Sequence, residues 1–299
     1  MALLCVGSVA LDNVTTPFGV TEDSLGGSAV YFSLAARFFT DVSVVGVIGE
    51  DFPAEHVAFL RDQGVDTGGI EAVEGKTFRW TGEYTGDMSS ALTREVELGV
   101  FGEFAPTLPE AYREFPTLFL ANSSPRTQLA VVEQMKAPRF VAADTMNLWI
   151  ENERDALLEL LKRIDCLFIN DGEARMLEDD TNLIACGKAI LRRGPSSVVI
   201  KKGEHGAILF TGDQVIPLPA FPTLEVKDPT GAGDSFAGGF MGYTASVGSE
   251  SSGGVGRALA YGTVTASFTV GRFGVAGLTE IDRTHVDQRL DAYRKIFAV

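Results

Sequence analysis

The chain has 299 residues, 25 Lys and Arg against 40 Asp and Glu (formal net charge −15), and 45% hydrophobic residues. That apolar fraction excludes disorder over most of the length, and a chain this long needs no covalent staples to bury a core. The acidic balance and the absence of a Lys/Arg cluster argue against nucleic acid as a main partner. Any anion must be held by local devices: a helix N-terminus, a bridging metal ion, or one or two placed cations.

In chain order, residues 3–9 read as a first strand, too short and without the basic lead of a signal peptide. No apolar run is long enough to span a bilayer, so a soluble, cytoplasmic protein is expected. Short, nearly continuous apolar runs at 42–48, 118–121, 140–143, 166–169 and 197–201 read as further strands, of the kind buried on both faces. Between them, 29–39, 55–63, 128–135, 154–162, 172–177 and 183–192 read as helices. This alternation predicts an α/β protein with a mostly parallel sheet covered by helices. Residues 76–104 break the rhythm. Two arms rich in Thr, Trp, Tyr, Val and Phe alternate with charge around Gly86-Asp87 and Ser89-Ser90, the pattern of a hairpin with one polar face. With 13–25, this hairpin is expected to form a small β lid on a single domain spanning 1–299.

Cys5, Cys166 and Cys186 form no C-x-x-C pair and are expected as buried small hydrophobes in a reducing compartment. His56, His205 and His285 are scattered, and no Walker loop, G-x-G-x-x-G fingerprint or G-x-S-x-G elbow is present. From 231 to 277 the chain is rich in Gly, Ala, Ser and Thr at helical spacing, which lets helices or a ligand approach closely.

The strongest signal is Asp228-Pro-Thr-Gly-Ala-Gly-Asp234. Gly231, Ala232 and Gly233 are small enough for backbone to wrap an anion, and their N–H groups open a helix near Asp234 whose dipole faces the same anion. A carboxylate there repels the anion unless it takes a proton from a hydroxyl that attacks a neighbouring phosphoryl group. Asn170 and Glu173, after the strand 166–169, supply oxygen donors suited to magnesium or, alternatively, a helix-capping box. Gly203 and Gly206 allow close backbone approach, or simply form a hairpin turn.

Segment 228–234 resembles the second signature of the ribokinase-like carbohydrate kinases, also called the phosphofructokinase-B family. Gly26-Gly27-Ser28 before the helix 29–39 resembles the family's first signature. Asn170-Asp-Gly-Glu173 resembles its N-x-x-E, Lys201-Lys-Gly203-Glu-His-Gly206 its nucleotide turn, and Gly7-Ser8-Val-Ala-Leu-Asp12 its opening strand. The resemblance covers essentially the whole chain and implies a three-layer α/β sandwich with a mostly parallel central sheet and a small β lid. It implies Asp234 as general base, with Gly231, Ala232 and Gly233 as the anion hole. It assigns ATP to Lys201, Gly203, Gly206, Thr230 and Gly262, and Mg2+ to Asn170 and Glu173. The acceptor falls to Asp12, Gly26, Gly27 and Asn147. Asp228 with the loop 271–277 resembles a monovalent-cation (K+) site.

The sequence departs from the family in two places. Val30-Tyr31-Phe32 is aromatic where many relatives have a sugar-binding Asn, and Asp144-Thr-Met-Asn147 only partly matches D-x-N. Tyr31, Phe32, Trp80 and Trp149 would suit a flat group, or the core. Within the family the chain is most similar to a subgroup with a short Gly-Gly-Ser-Ala-x-Tyr signature and a Lys-Thr-Phe-Arg-Trp lid. The expected activity is ATP- and Mg2+-dependent phosphoryl transfer to a hydroxyl of a sugar or related polyol. The alternatives are a nucleoside kinase of the same fold and a non-catalytic nucleotide- or sugar-binding regulator. A homodimer through the lid is the expected assembly.

Overall fold

The structure is a computed structural model and describes residues 2–248 and 254–297. Its strands, in chain order, are β1 (Ala2–Val6), β2 (Ala10–Thr16), β3 (Gly19–Gly26), β4 (Asp41–Gly49), β5 (Val65–Val73), β6 (Phe78–Glu83), β7 (Leu92–Glu97), β8 (Thr117–Leu120), β9 (Phe140–Asp144), β10 (Cys166–Asn170), β11 (Ser197–Lys201), β12 (Ala207–Thr211) and β13 (Gln214–Leu218). The helices are α1 (Ser28–Ala36), α2 (Ala54–Asp62), α3 (Pro125–Gln134), α4 (Asn147–Asn152), α5 (Arg154–Leu161), α6 (Asp171–Glu178), α7 (Leu183–Leu191), α8 (Ala232–Val247), α9 (Gly254–Thr269), α10 (Ala276–Thr279) and α11 (Arg283–Phe297).

Alternation along β1 sets the layers. Leu3 and Cys5 enter one core with Tyr31 of α1, Phe240 of α8, Tyr261 of α9 and Leu290 of α11. Leu4 and Val6 enter the other with Val131 of α3, Leu157 of α5, Leu177 of α6 and Ile190 of α7. The period-2 side-chain rule thus places helices on both faces of one sheet, the expected three-layer α/β sandwich. The sheet has nine strands in the order β13-β12-β11-β10-β9-β8-β1-β4-β5, parallel from β11 to β5, with β12 and β13 antiparallel at the edge. Chain order reverses between β1 and β8, so a crevice opens at their carboxyl ends, where open α/β sheets bind ligands.

A second sheet, in the order β3-β2-β6-β7, grows from that edge. The hairpin at 76–104 is present as β6 and β7, with a register shift between Thr81 and Gly82. The first strand ends at Val6, earlier than the expected 9, because Gly7 turns the chain against Ala121; a Cβ at Gly7 would lie 2.6 Å from the Ala121 Cβ. The glycines of α8 are packing devices. A Cβ at Gly238 would meet the Phe32 carbonyl oxygen at 2.3 Å, and one at Gly239 would meet Thr265 Oγ1 at 2.6 Å. Cys5, Cys166 and Cys186 are buried free thiols, pushed upward by burial. Among the described residues no helix is long and apolar enough to cross a membrane.

Candidate active site

The anion loop is pinned from below. Asp228, 1% exposed, accepts from the Thr230 N–H at Oδ1 and from the Gly274 N–H at Oδ2, both at 2.9 Å, tying the loop to the segment after α9. Gly231 is the N-cap of α8 with φ +72°, and a Cβ there would lie 2.2 Å from the Tyr31 ring, so both conformation and contact require glycine. The Ala232 N–H bonds to the Pro229 carbonyl at 3.1 Å, whereas among the described residues no backbone carbonyl accepts from the Gly233 N–H. An open first-turn amide at the positive end of a 16-residue helix is an anion site in waiting. The Lys201 ammonium reaches the same point: a Cβ at Gly233 would lie 3.0 Å from its Nζ. Amide and ammonium converge on a cradle that side-chain bulk would fill, which fits a transferable phosphoryl group.

Asp234 stands three residues past the N-cap, so it does not cap the helix. Burial pushes its carboxyl up to about 7; Asp144 adds to the rise and Lys201 opposes it. Lys201, at the end of β11, holds Asp144, at the end of β9, at 3.0 Å. Burial pulls the Lys201 ammonium down, but the Asp144, Glu173 and Asp234 carboxylates outweigh it and hold the ammonium above its ordinary value. A carboxyl near neutrality beside a fixed cation is suited to taking a proton at physiological pH.

Of the residues expected to hold the acceptor, Asp12, Gly26 and Gly27 lie together. Asp12, 4% exposed, lies on Gly26, where a Cβ would sit 2.0 Å from its Oδ2, and it accepts a backbone hydrogen bond from Gly27. Gly27 has φ +97°, and a Cβ there would meet the Ser8 carbonyl oxygen at 2.5 Å. Burial pushes the Asp12 carboxyl up to about 7, and the charges of Asp234 and Asp228 add to it. Tyr84, just past β6, bridges the second sheet to the anion loop through Thr230 Oγ1, 3.4 Å from its hydroxyl. Burial pushes the Tyr84 phenol up to about 12.

Asn170 and Glu173 form a reciprocal capping box on α6: Asn170 Oδ1 accepts from the Glu173 N–H and Glu173 Oε2 accepts from the Asn170 N–H, each at 2.8 Å. One Glu173 oxygen stays uncommitted to the cap, and burial raises its carboxyl to about 7 against the pull of Lys201. Among the described residues no group of three or more His, Cys, Asp or Glu is arranged to hold a metal. Magnesium suits such a site because it keeps several waters and takes one or two carboxylates plus substrate phosphates. Gly203 and Gly206 flank a short 3-10 turn between β11 and β12. Gly203 (φ +54°) faces open space, while a Cβ at Gly206 (φ +82°) would strike the Leu218 carbonyl oxygen at 2.0 Å.

Two expected residues stand apart. Gly262 is buried on α9 where it meets α8, and a Cβ there would lie 2.8 Å from the Phe236 carbonyl oxygen, so helix packing alone accounts for the glycine. Asn147 is exposed at the start of α4, and no hydrogen bond joins it to Asp12 among the described residues. Asp144 is the participant that sequence reasoning underweighted. Its local signals are a carboxylate at a strand end and the partial D-x-N match at Asp144-Thr-Met-Asn147, while its partner Lys201 is 57 residues away.

Residues 12–282 match the pfkB family carbohydrate kinases. The chain belongs to the pfkB family. It is therefore an ATP-dependent phosphotransferase acting on a hydroxyl group. It is 31% identical over 252 residues to a cytidine kinase of Thermococcus kodakarensis, covering 81% of this chain and 88% of that protein. Two solved structures share the fold. A Burkholderia thailandensis nucleoside kinase in complex with inosine gives a TM-score of 0.81 at 19% identity, covering 100% of this chain and 99% of that one. A protein described as ribokinase II from Escherichia coli, in complex with ATP and Mg2+, gives 0.80 at 19% identity, covering 97% and 99%.

Proposed function

We propose that this pfkB-family chain transfers the γ-phosphoryl group of ATP to a ribose hydroxyl of a nucleoside, rather than to a free sugar. The observation that carries the substrate class is the likeness to a cytidine kinase over most of both chains. The site agrees with it. An ionised Asp12 offers only acceptor lone pairs, two of which suit the neighbouring hydroxyls of a ribose. Asp234 takes the proton of the attacking hydroxyl, while the Gly233 N–H and Lys201 hold the charge of the transferred group. The intact proton acceptor argues against a regulator that only binds. ADP release with ATP and Mg2+ across a panel of nucleosides, free ribose and hexoses tests the substrate class. A best nucleoside at least tenfold above any free sugar in kcat/KM is expected, and the reverse order returns the acceptor to the sugars.

Magnesium, when bound, neutralises charge on the phosphates, and we assign its positioning to Asn170 and Glu173. Because Gln also completes a capping box, Glu173→Gln is expected to fold normally. It should raise the Mg2+ concentration needed for half-maximal rate several-fold and leave acceptor KM unchanged. An unaltered magnesium titration would reduce the pair to a cap. We assign a monovalent cation to the loop 271–277 beside the buried Asp228, whose carboxylate already holds that loop through the Gly274 N–H.

The same reading takes the chain as one domain over 1–299, cytoplasmic, with the sheet containing 13–25 and 76–104 as its lid. Gly75 (φ +126°) and Gly99 (φ +50°) stand where the chain enters and leaves the hairpin, in conformations that favour glycine. Amide exchange in β6 and β7 is expected to slow when the acceptor binds. Exchange equally slow in both states would count against a lid. It would favour fixed pairing of the open β7 edge, where Leu92 and Val96 are exposed, with a second copy.

A further inference from the structure

We infer that Trp80 is the platform on which the acceptor's nucleobase stacks, and so the residue that sets nucleoside over free sugar; this rests on the nucleoside reading above. Trp80 is the direct register partner of Asp12 in the parallel β2–β6 pair. Parallel partners present their side chains on the same face, one strand spacing of about 4.8 Å apart. The neighbouring pair shows the opposite face, where Asn13 Nδ2 donates to Thr81 Oγ1 at 3.2 Å. Val14, two residues past Asp12, and Tyr84, four past Trp80, lie on the Asp12 side and pack with Met88 and Trp80, and Tyr84 reaches the anion loop. The indole therefore belongs to the wall that faces Asp12 and the start of α8.

The geometry of the ring is that of a platform. A Cβ at Gly82 would lie 2.1 Å from the far edge of the indole, so the ring lies along its own strand over bare backbone. Its Nε1–H donates to Thr93 Oγ1 at 3.3 Å, which sets its rotation. It is half-buried, as is Trp149, whereas Tyr31 and Phe32 are fully buried. Tyr31 is enclosed beneath Gly231, and Phe32 stacks on Phe119 in the core with centroids 3.9 Å apart. Trp149 is turned to Asn122, donating to its Oδ1 at 2.8 Å. A ribose whose diol sits on Asp12 carries its base at about the distance of the adjacent strand, where the indole lies. Stacking accepts any nucleobase, so a purine or a pyrimidine fits the platform.

The chain contains 2 tryptophans, so Trp149→Phe leaves Trp80 as the sole indole reporter. Titration of that variant with cytidine and inosine is expected to quench its fluorescence, and free ribose is expected not to. Trp80→Ala should raise nucleoside KM by roughly 5- to 150-fold with kcat and ATP KM within about threefold, and Trp80→Phe should restore most of the loss. Gly82→Ala, which keeps the indole but displaces it, should shift KM in the same direction. Nucleoside turnover with unchanged KM in Trp80→Ala and no quench in Trp149→Phe would overturn the platform and leave the nucleoside reading standing. Turnover of free sugars alone by the unaltered chain would overturn both.

Discussion

Asp234→Asn is expected to bind ATP as before and to lose turnover by about 10²- to 10⁴-fold, the range for removal of a general base. The substitution keeps the shape of the side chain at the start of α8 and removes only its ability to take a proton. The pH profile gives a second readout. With the carboxyl pushed up to about 7, the active form is the deprotonated one. The unaltered chain should therefore gain kcat/KM as pH rises through about 7 and lose at least tenfold per pH unit well below it. The variant should show a shallower limb, because the Asp12 and Glu173 carboxyls, also pushed up to about 7, still titrate there. Near-normal turnover in Asp234→Asn would remove Asp234 from the chemistry and leave it as a helix-start carboxylate.

Asp12→Ala is expected to weaken the acceptor by roughly 10- to 200-fold while leaving the ATP constant near its starting value, since hydrogen bonds to a charged group are worth about 1.5–3 kcal/mol each. A shifted ATP constant with an unchanged acceptor constant would place Asp12 in the wrong half of the cleft. The same residue has a stability signature. Its folded-state carboxyl is raised from 3.8 to about 7 by burial, so folding favours the protonated form. That contribution is fully present below about pH 4 and is lost as pH rises through about 7. At pH 8 the ionised carboxylate is a burden on the ligand-free fold. Asp12→Asn, the uncharged isostere, should therefore melt several degrees higher than the unaltered chain at pH 8, with the difference fading towards pH 4. Thermal melts at the two pH values check the sign.

The central strands were legible because they are buried on both faces: CLFI of β10 and VVI of β11 are unbroken apolar runs. The anion loop was legible because its glycines have no better explanation, and Gly231 indeed admits no side chain against Tyr31. Strand β5, VDTGGIEAV, was missed because two glycines and alternating exposure erase the apolar run. β13 was missed because it is an exposed edge strand carrying Pro217. The Asp144–Lys201 pair joins the ends of β9 and β11 across β10, a contact that no local pattern encodes. Asn170 and Glu173 illustrate the converse, since the spacing that suits magnesium is also the spacing of a capping box, and the structure shows the box formed.

The account's central claim is phosphoryl transfer to a nucleoside hydroxyl with Asp234 as the proton acceptor. The most direct test is phosphorus NMR of the chain incubated with ATP, Mg2+ and cytidine or inosine, beside the Asp234→Asn variant. The account predicts one new phosphomonoester on the ribose, formed in step with ADP by the unaltered chain and nearly absent with the variant. ADP accompanied only by inorganic phosphate, or the same phosphomonoester formed equally fast by the variant, would contradict it.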